Sequence, residues 1–298
     1  MTENQKEDRE SEVRQMIDCG LILEGGGMRG LYTTGVLDFF LDKGLEFSAC
    51  YGVSAGSANG CNFISKQRKR NFQVNTDYLE DKNYASIYSL LTTGNFFGTE
   101  MCYHKVPVEL NPFDFETFRA YKGEFYAVVT DCETGQPQYL RVQDMHKDME
   151  KIRASCSLPL MAEMVKIDGH LYLDGGLSDS IPVRQSVKDG HPKNVVILTR
   201  DLEYRKKPSE LLPVIRLKYS RYPKLVEAME RRHMVYNRTL EYIRNQEKKG
   251  NLFVIRPSRP VKIGRLEKNK EKLTKLYKQG YRDAVAAYDG LKEFLENL

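Results

Sequence analysis

"YGVSAGSANG", residues 51–60, follows an apolar run, "FSACYG" at 47–52, and leads into a stretch of small residues. At its centre Gly52-Val53-Ser54-Ala55-Gly56 reads G-x-S-x-G. A strand that turns sharply into a helix needs this spacing. Glycines two before and two after the serine remove Cβ atoms that would otherwise collide. The serine then stands at the apex, above a helix N-terminus with free amides and a positive dipole end. Ala55, Ser57, Ala58 and Gly60 keep that helix thin enough to lie close on a sheet. A turn of small residues produces the same letters, so the neighbouring segments have to decide.

Upstream, "LILEGGGMRG" at 21–30 ends an apolar strand in bare backbone. Gly25, Gly27 and Gly30 spell G-x-G-x-x-G, which suits either a dinucleotide-binding turn or a loop of amides facing developing negative charge. The first use needs an acidic ribose-binding residue at the end of the next strand. That strand ends instead in the serine turn, and Glu46 stands before it. The second use fits better: Gly25, Gly26 and Gly27 offer amides to an oxyanion with no side chain in the way. Arg29 either holds a lipid phosphate or anchors the glycine loop to a neighbouring carboxylate. The anchoring role is preferred, because bare glycines cannot hold a loop's shape.

The chain has 298 residues, 41% hydrophobic and 29% charged, with a formal charge of +5. That is an ordinary soluble composition, far from a nucleic-acid-binding signature, so no nucleic-acid partner is expected. Residues 205–249 carry thirteen Lys or Arg against five Glu. A solvated helical face is the preferred reading, and weak peripheral contact with an anionic membrane is the alternative. The six cysteines are scattered without a C-x-x-C pair, and Cys19, Cys50 and Cys61 read as core residues. The polar N-terminus resembles no secretory signal, and no stretch is apolar for long enough to span a bilayer. A reduced, cytoplasmic protein is the expectation.

Along the chain, 1–15 read as disordered, 16–203 as the catalytic domain and 204–298 as a mainly helical region packed on it. After the first strand comes a helix with Leu31, Val36, Leu37, Phe40 and Leu41 at helical spacing, stopped by Gly44. Residues 67–120 are aromatic-rich and read as irregular. "EFYAVVT" and "PQYLRV" read as strands, and "VKIDGHLYLD" as a hairpin turning at Asp168-Gly169. "NVVILTRD" is a further buried strand. Two amphipathic helices follow, at about 224–249 and 267–297, separated by "NLFVIRP". The second carries one apolar stripe, Leu273, Leu276, Tyr277, Tyr281, Val285, Tyr288, Leu291 and Leu295. Strands alternating with helices predict a three-layer α/β/α sandwich with a largely parallel sheet, its active groups in loops at the strands' carboxyl ends.

A serine needs a base within reach. The five histidines sit in no motif, in polar or mixed surroundings. Asp174, in "YLDGGLSDSIPV", ends an apolar strand, and Gly175-Gly176 let the chain turn away from it. An aspartate making a turn is the bland reading of the same residues.

The three segments, in this order, resemble the patatin-like acyl hydrolases, whose marks are G-x-G-x-x-G (Gly25–Gly30), G-x-S-x-G (Gly52–Gly56) and D-G-A/G (Asp174–Gly176). "VVTDCETG" and "ASCSLPLMAEMVKIDG" extend the resemblance, which covers about residues 17–200. It implies Ser54 as nucleophile, Asp174 as base of a Ser–Asp dyad, and Gly26 and Gly27 as oxyanion donors. Arg29, Gly30, Gly52, Gly56, Gly175 and Gly176 support the motifs. It further implies cleavage of fatty acyl esters of glycerolipids, often phospholipids, with a lipid or lysolipid substrate and no metal or cofactor. The sequence departs from the family pattern at Glu24 and in "SLPLMAEM", and the last hundred residues match no motif. Two rivals remain: a Ser–Asp–His esterase in which Asp174 orients His191 or His233, and a non-catalytic lipid- or nucleotide-binding protein.

Overall fold

The computed structural model describes residues 16–298, and the charged segment at 1–15, read above as disordered, lies outside them. Strand β1 (Ile17–Leu23) is buried on both faces over its second half, because it lies at the middle of the sheet. A 3-10 turn (Gly27–Arg29) leads into α1 (Gly30–Asp42), which ends as expected at Gly44, in the left-handed region at φ 65°. Then come β2 (Phe47–Val53), α2 (Ala55–Ile64), α3 (Arg70–Asp77), α4 (Ile87–Thr93), a π-helical segment (Glu100–Leu110) and α5 (Phe115–Arg119).

The region 67–120 is therefore mostly helical, not irregular. Its helices are short, and Ser86 and Asp114 cap two of them by accepting backbone amides. Short capped turns leave no sustained apolar period, which is why periodicity does not reveal them.

Next come β3 (Glu124–Asp131), β4 (Pro137–Arg141), α6 (Met145–Cys156), β5 (Val165–Ile167) and β6 (His170–Asp174). The β5–β6 hairpin turns at Asp168 and Gly169, both at positive φ, as their pairing predicts. The chain finishes with α7 (Val183–Lys188), β7 (Asn194–Ile197), α8 (Leu212–Lys218), α9 (Pro223–Lys248), β8 (Leu252–Ile255) and α10 (Lys270–Glu296). "NLFVIRP" is thus not a mere separator: it carries β8, which pairs in parallel with β7.

Strand pairing runs β5-β6-β3-β2-β1-β7-β8, with β4 added on β3. The five strands β3-β2-β1-β7-β8 are parallel, while β4 and β6 run antiparallel to β3, and β5 pairs antiparallel with β6. With helices on both faces this is the expected three-layer α/β/α sandwich, its sheet largely parallel. Helix α10 packs on α1, where Gly35 and Gly280 let the two backbones meet. Val285 leaves the forecast stripe, being 50% exposed, and Ala284 is buried instead. The small residue suits the close helix contact.

One register step positions the site. β2 and β4 pair with the same β3 residues, so they lie on opposite edges of it; β4 and β6 likewise both pair with Val129. Hence β6 continues the edge that β2 occupies. Val53, the last residue of β2, pairs with Val128, and Asp174, the last of β6, pairs with Val129.

Candidate active site

Ser54 caps α2 with φ 54° and ψ −125°, a conformation that a residue with a side chain adopts only when its surroundings impose it. The surroundings are explicit. The Ser54 amide donates to Ser155 Oγ at 2.9 Å, and Ser155 Oγ donates to the Val128 carbonyl at 2.7 Å. Ser57 donates both its amide and its hydroxyl to the Ser54 carbonyl. Gly52 and Gly56 stand where the turn's own backbone and the end of β1 leave no room for a Cβ. Sequence reasoning passed over Ser155, whose only signal is its place in "ASCSLPL".

The glycine loop lies against this turn. A Cβ on Gly25 would come within 2.9 Å of the Val53 carbonyl. Gly27 is at φ 56°, and its missing Cβ would point 2.5 Å from the Arg265 carbonyl, which accepts the Met28 amide. Bareness at 27 thus makes room for the chain at 265, while the Gly27 backbone still lines the cleft beside Ser54. Gly30 lets α1 approach Ala55, and Asn59 ties the two helices by donating to the Gly30 and Ala55 carbonyls. Asn59 is a positioning residue that motif reading overlooked, since it sits inside the small-residue stretch.

Glu24 is buried at the end of β1. Its carboxylate accepts the Thr199 amide at 2.6 Å, the Thr199 hydroxyl, and the Tyr236 hydroxyl at 2.6 Å. It therefore stitches β1, the chain beyond β7 and α9 together.

Asp174 is 1% exposed. Its Oδ1 accepts the Gly176 amide at 2.7 Å, and its Oδ2 is buried without a hydrogen-bond partner among the described residues. Gly175 sits under the Val128 carbonyl, where no side chain fits. Burial pushes the Asp174 carboxyl above the usual carboxylate range. The Ser54 hydroxyl leads the groups pulling it back, with Arg232, the Gly176 amide and Arg265 behind it. No hydrogen bond of ordinary geometry joins Ser54 to Asp174, but both line the same cleft with Gly25, Gly26, Gly27, Arg29 and Gly176. Cys156 lies close by, and burial raises its thiol to about 12, so no thiolate competes at neutral pH.

Ser54 stands between two pockets. One is the polar cleft just described. The other, of about 140 Å³, is walled by Leu31, Val74, Tyr84, Phe97 and Tyr103, largely from the aromatic-rich region. Gly27, Ser54 and Leu158 line both. None of the five histidines lines either pocket: His146 stacks on Phe115, His233 faces its own helix's Glu230 carbonyl, and His170 lies beside Asp131.

Arg29 departs from the preferred anchoring role. It is 7% exposed, yet among the described residues it forms no salt bridge and its Nε has no hydrogen-bond partner. The adjacent carboxylate, Glu24, is already taken by Thr199 and Tyr236. The reading of 205–249 as a wholly solvated face also needs correction, since Lys206 and Arg232 line the cleft beside Ser54.

A mostly parallel sandwich with a strained serine at a strand-to-helix elbow defines an α/β protein of the serine-elbow class. Comparison with known families makes this specific: the model of the patatin-like phospholipases matches residues 21–187, and the chain belongs to that family. A domain of unknown function, DUF6363, matches residues 222–296. Similar proteins include the uncharacterised protein YjjU of Escherichia coli K12, 28% identical over 248 residues, which are 81% of this chain and 69% of YjjU. Lysophospholipase NTE1 of Kluyveromyces lactis is 26% identical over 57% of this chain, but the match spans only 12% of that enzyme. The probable lipid hydrolase 463L of Invertebrate iridescent virus 6 is 24% identical over 58% of this chain and 65% of its own.

Proposed function

We propose that this protein is a lipid acyl hydrolase that cleaves fatty acyl esters of glycerolipids through Ser54 and Asp174. Family membership supports lipid-ester hydrolysis, and the names of the fungal and viral relatives point the same way. The observation that carries the residue assignment is the register of β3: Val53 and Asp174 pair with consecutive residues along one edge, so the serine turn and the carboxylate meet.

In the first step Ser54 Oγ attacks the acyl carbonyl carbon as Asp174 Oδ2 takes the hydroxyl proton. The carbonyl oxygen becomes an oxyanion facing the backbone amides of the 25–27 loop, where each donor is worth ~3–4 kcal/mol in comparable enzymes. The tetrahedral intermediate collapses, and the leaving alkoxide takes the proton from Asp174. Water then gives a proton to Asp174 and attacks the acyl-serine. The fatty acid departs as the proton returns to Ser54. The apolar pocket takes the acyl chain, and contact with a membrane surface is peripheral. No step needs a metal or a cofactor.

The test combines a fluorophosphonate probe with hydrolysis of an oleoyl lysophospholipid. Wild type is expected to be labelled at Ser54 and to release oleate, Ser54→Ala to do neither, and His191→Ala and His233→Ala to keep rates within about tenfold. A folded histidine variant as inactive as Ser54→Ala would overturn the dyad in favour of a Ser–Asp–His triad. Absence of labelling in the wild type would make the protein a binding module.

A further inference from the structure

The polar cleft beside Ser54 is crowded with cations. Arg29 reaches it from the 3-10 turn, Arg200 and Lys206 from the chain after β7, Arg232 from α9 and Arg265 from the segment before α10. Two carboxylates share the cleft: both Glu24 oxygens are engaged, by Thr199 and Tyr236, while Asp174 has one oxygen engaged, by the Gly176 amide. None of the five cations forms a salt bridge among the described residues. Two of them rest on neutral partners instead. Arg200 donates to the Val261 carbonyl at 2.9 Å and lies 4.4 Å over the Tyr204 ring, and Lys206 lies 4.2 Å over the Tyr236 ring.

Buried polar atoms without partners are uncommon and call for an explanation. Among the described residues there are five such side-chain atoms, and four lie in this cleft: Arg29 Nε, Arg200 Nε, Arg232 Nε and Asp174 Oδ2. Burial first, and then Arg232 and Arg265, push the Lys206 ammonium down to about 7, with Glu24 pulling the other way. Guanidinium groups are the side chains best suited to phosphate, because their forked donors match its oxygens.

We infer that this cationic half of the cleft is a phosphate-recognition site, and that the preferred substrate is an acyl glycerol ester whose headgroup is a phosphate monoester. The inference rests on the acyl-hydrolase reading above and extends it to the headgroup. Ser54 lies between the two halves, so one molecule can place its acyl chain among the aromatics and its phosphate among the arginines. Four of the five cations lie beyond residue 199, and two, Arg232 and Arg265, lie in the segment matched by the domain of unknown function. The C-terminal region therefore supplies the selectivity of a site whose reacting groups come from the first 180 residues.

Two measurements test this. The first is binding without turnover: Ser54→Ala protein is titrated with glycerol 3-phosphate, inorganic phosphate, or sodium chloride at matched ionic strength, following thermal stability at pH 7. Glycerol 3-phosphate is expected to stabilise saturably beyond the salt control. Adding Lys206→Met or Arg265→Met should weaken its apparent affinity by about tenfold or more, the scale of one lost charge-assisted contact. The second is wild-type kcat/KM for oleoyl lysophosphatidic acid against monooleoylglycerol in the same neutral detergent micelles. The phosphate-bearing ester is expected to win by about tenfold or more, and each variant should shrink that ratio.

No stabilisation beyond salt, or stabilisation unchanged in both variants, overturns the phosphate site. Stabilisation by inorganic phosphate with no preference for the phosphate-bearing ester assigns the site to free phosphate and overturns the headgroup claim. Glycerol 3-phosphate binding with no hydrolysis of either ester refutes the acyl-hydrolase reading while upholding the phosphate site.

Discussion

Asp174 pairs with Val129 one residue beyond the point where Val53 pairs with Val128, on the same edge of β3. Nothing connects Ser54 and Asp174 along the chain at short range. They meet because an antiparallel hairpin takes over the edge that the serine's strand leaves. Their proximity therefore depends on strand register, which a slip of one residue would destroy.

The first expected outcome concerns pH. Burial raises the Asp174 carboxyl, while Ser54, Arg232, the Gly176 amide and Arg265 oppose the shift. A base must be ionised to accept a proton, so kcat/KM should fall on the acid side at a pH above the usual carboxylate range. Asp174→Asn should abolish turnover at every pH and leave the fold intact. A rate profile flat down to pH 4 would remove Asp174 from the role of base.

Ser155→Ala should act on the elbow without touching substrate. It leaves the buried Ser54 amide without its acceptor, at a cost of about 1–3 kcal/mol. Thermal unfolding should register that loss. Steady-state kinetics should show kcat lowered far more than KM is raised, because the serine's aim is disturbed while the acyl pocket is not. Unchanged kcat in a destabilised variant would limit Ser155 to stability.

Gly27→Val places a branched side chain at φ 56° and drives its Cβ toward the Arg265 carbonyl. The left-handed conformation alone costs on the order of 1–3 kcal/mol. Stability should fall, and activity should fall by ~100-fold or more as the loop's amides lose their aim. A folded variant with near-normal turnover would show that the 25–27 amides do not serve the reaction.

The last concerns Lys206 and the resting stability of the cleft. The groups facing it are Arg29, Arg232, Arg265, Glu24 and the rings of Tyr204 and Tyr236. Its folded pKa of about 7 lies below the ordinary 10.5, so the folded state resists the charged form. The penalty is complete below pH 7 and is relieved as pH rises from about 7 to 10.5. Lys206→Met should therefore raise Tm most at pH 6, by roughly 2–4 °C per kcal/mol relieved, with the gain shrinking by pH 10. A lower Tm at pH 6 would mean the lysine is already compensated.

The sequence by itself determined the local chemistry. G-x-S-x-G after an apolar run dictates a sharp strand-to-helix turn because only glycine clears the backbone there. Asp168-Gly169 dictates the hairpin, and Asp174-Gly175-Gly176 the end of its second strand. Those are short-range steric rules, legible wherever they occur, and together they carry the parallel α/β class. Three things were decided only by the tertiary structure: that Asp174 lands beside Ser54, that Gly27 makes room for Arg265, and that Arg29 forms no salt bridge among the described residues. Each depends on which distant segments share an edge or a cleft. The basic excess at 205–249 shows the same limit. A basic residue facing solvent and one facing a buried cleft have the same letter, and only packing separates Lys206, in the chain after β7, and Arg232, on α9, from their solvated neighbours.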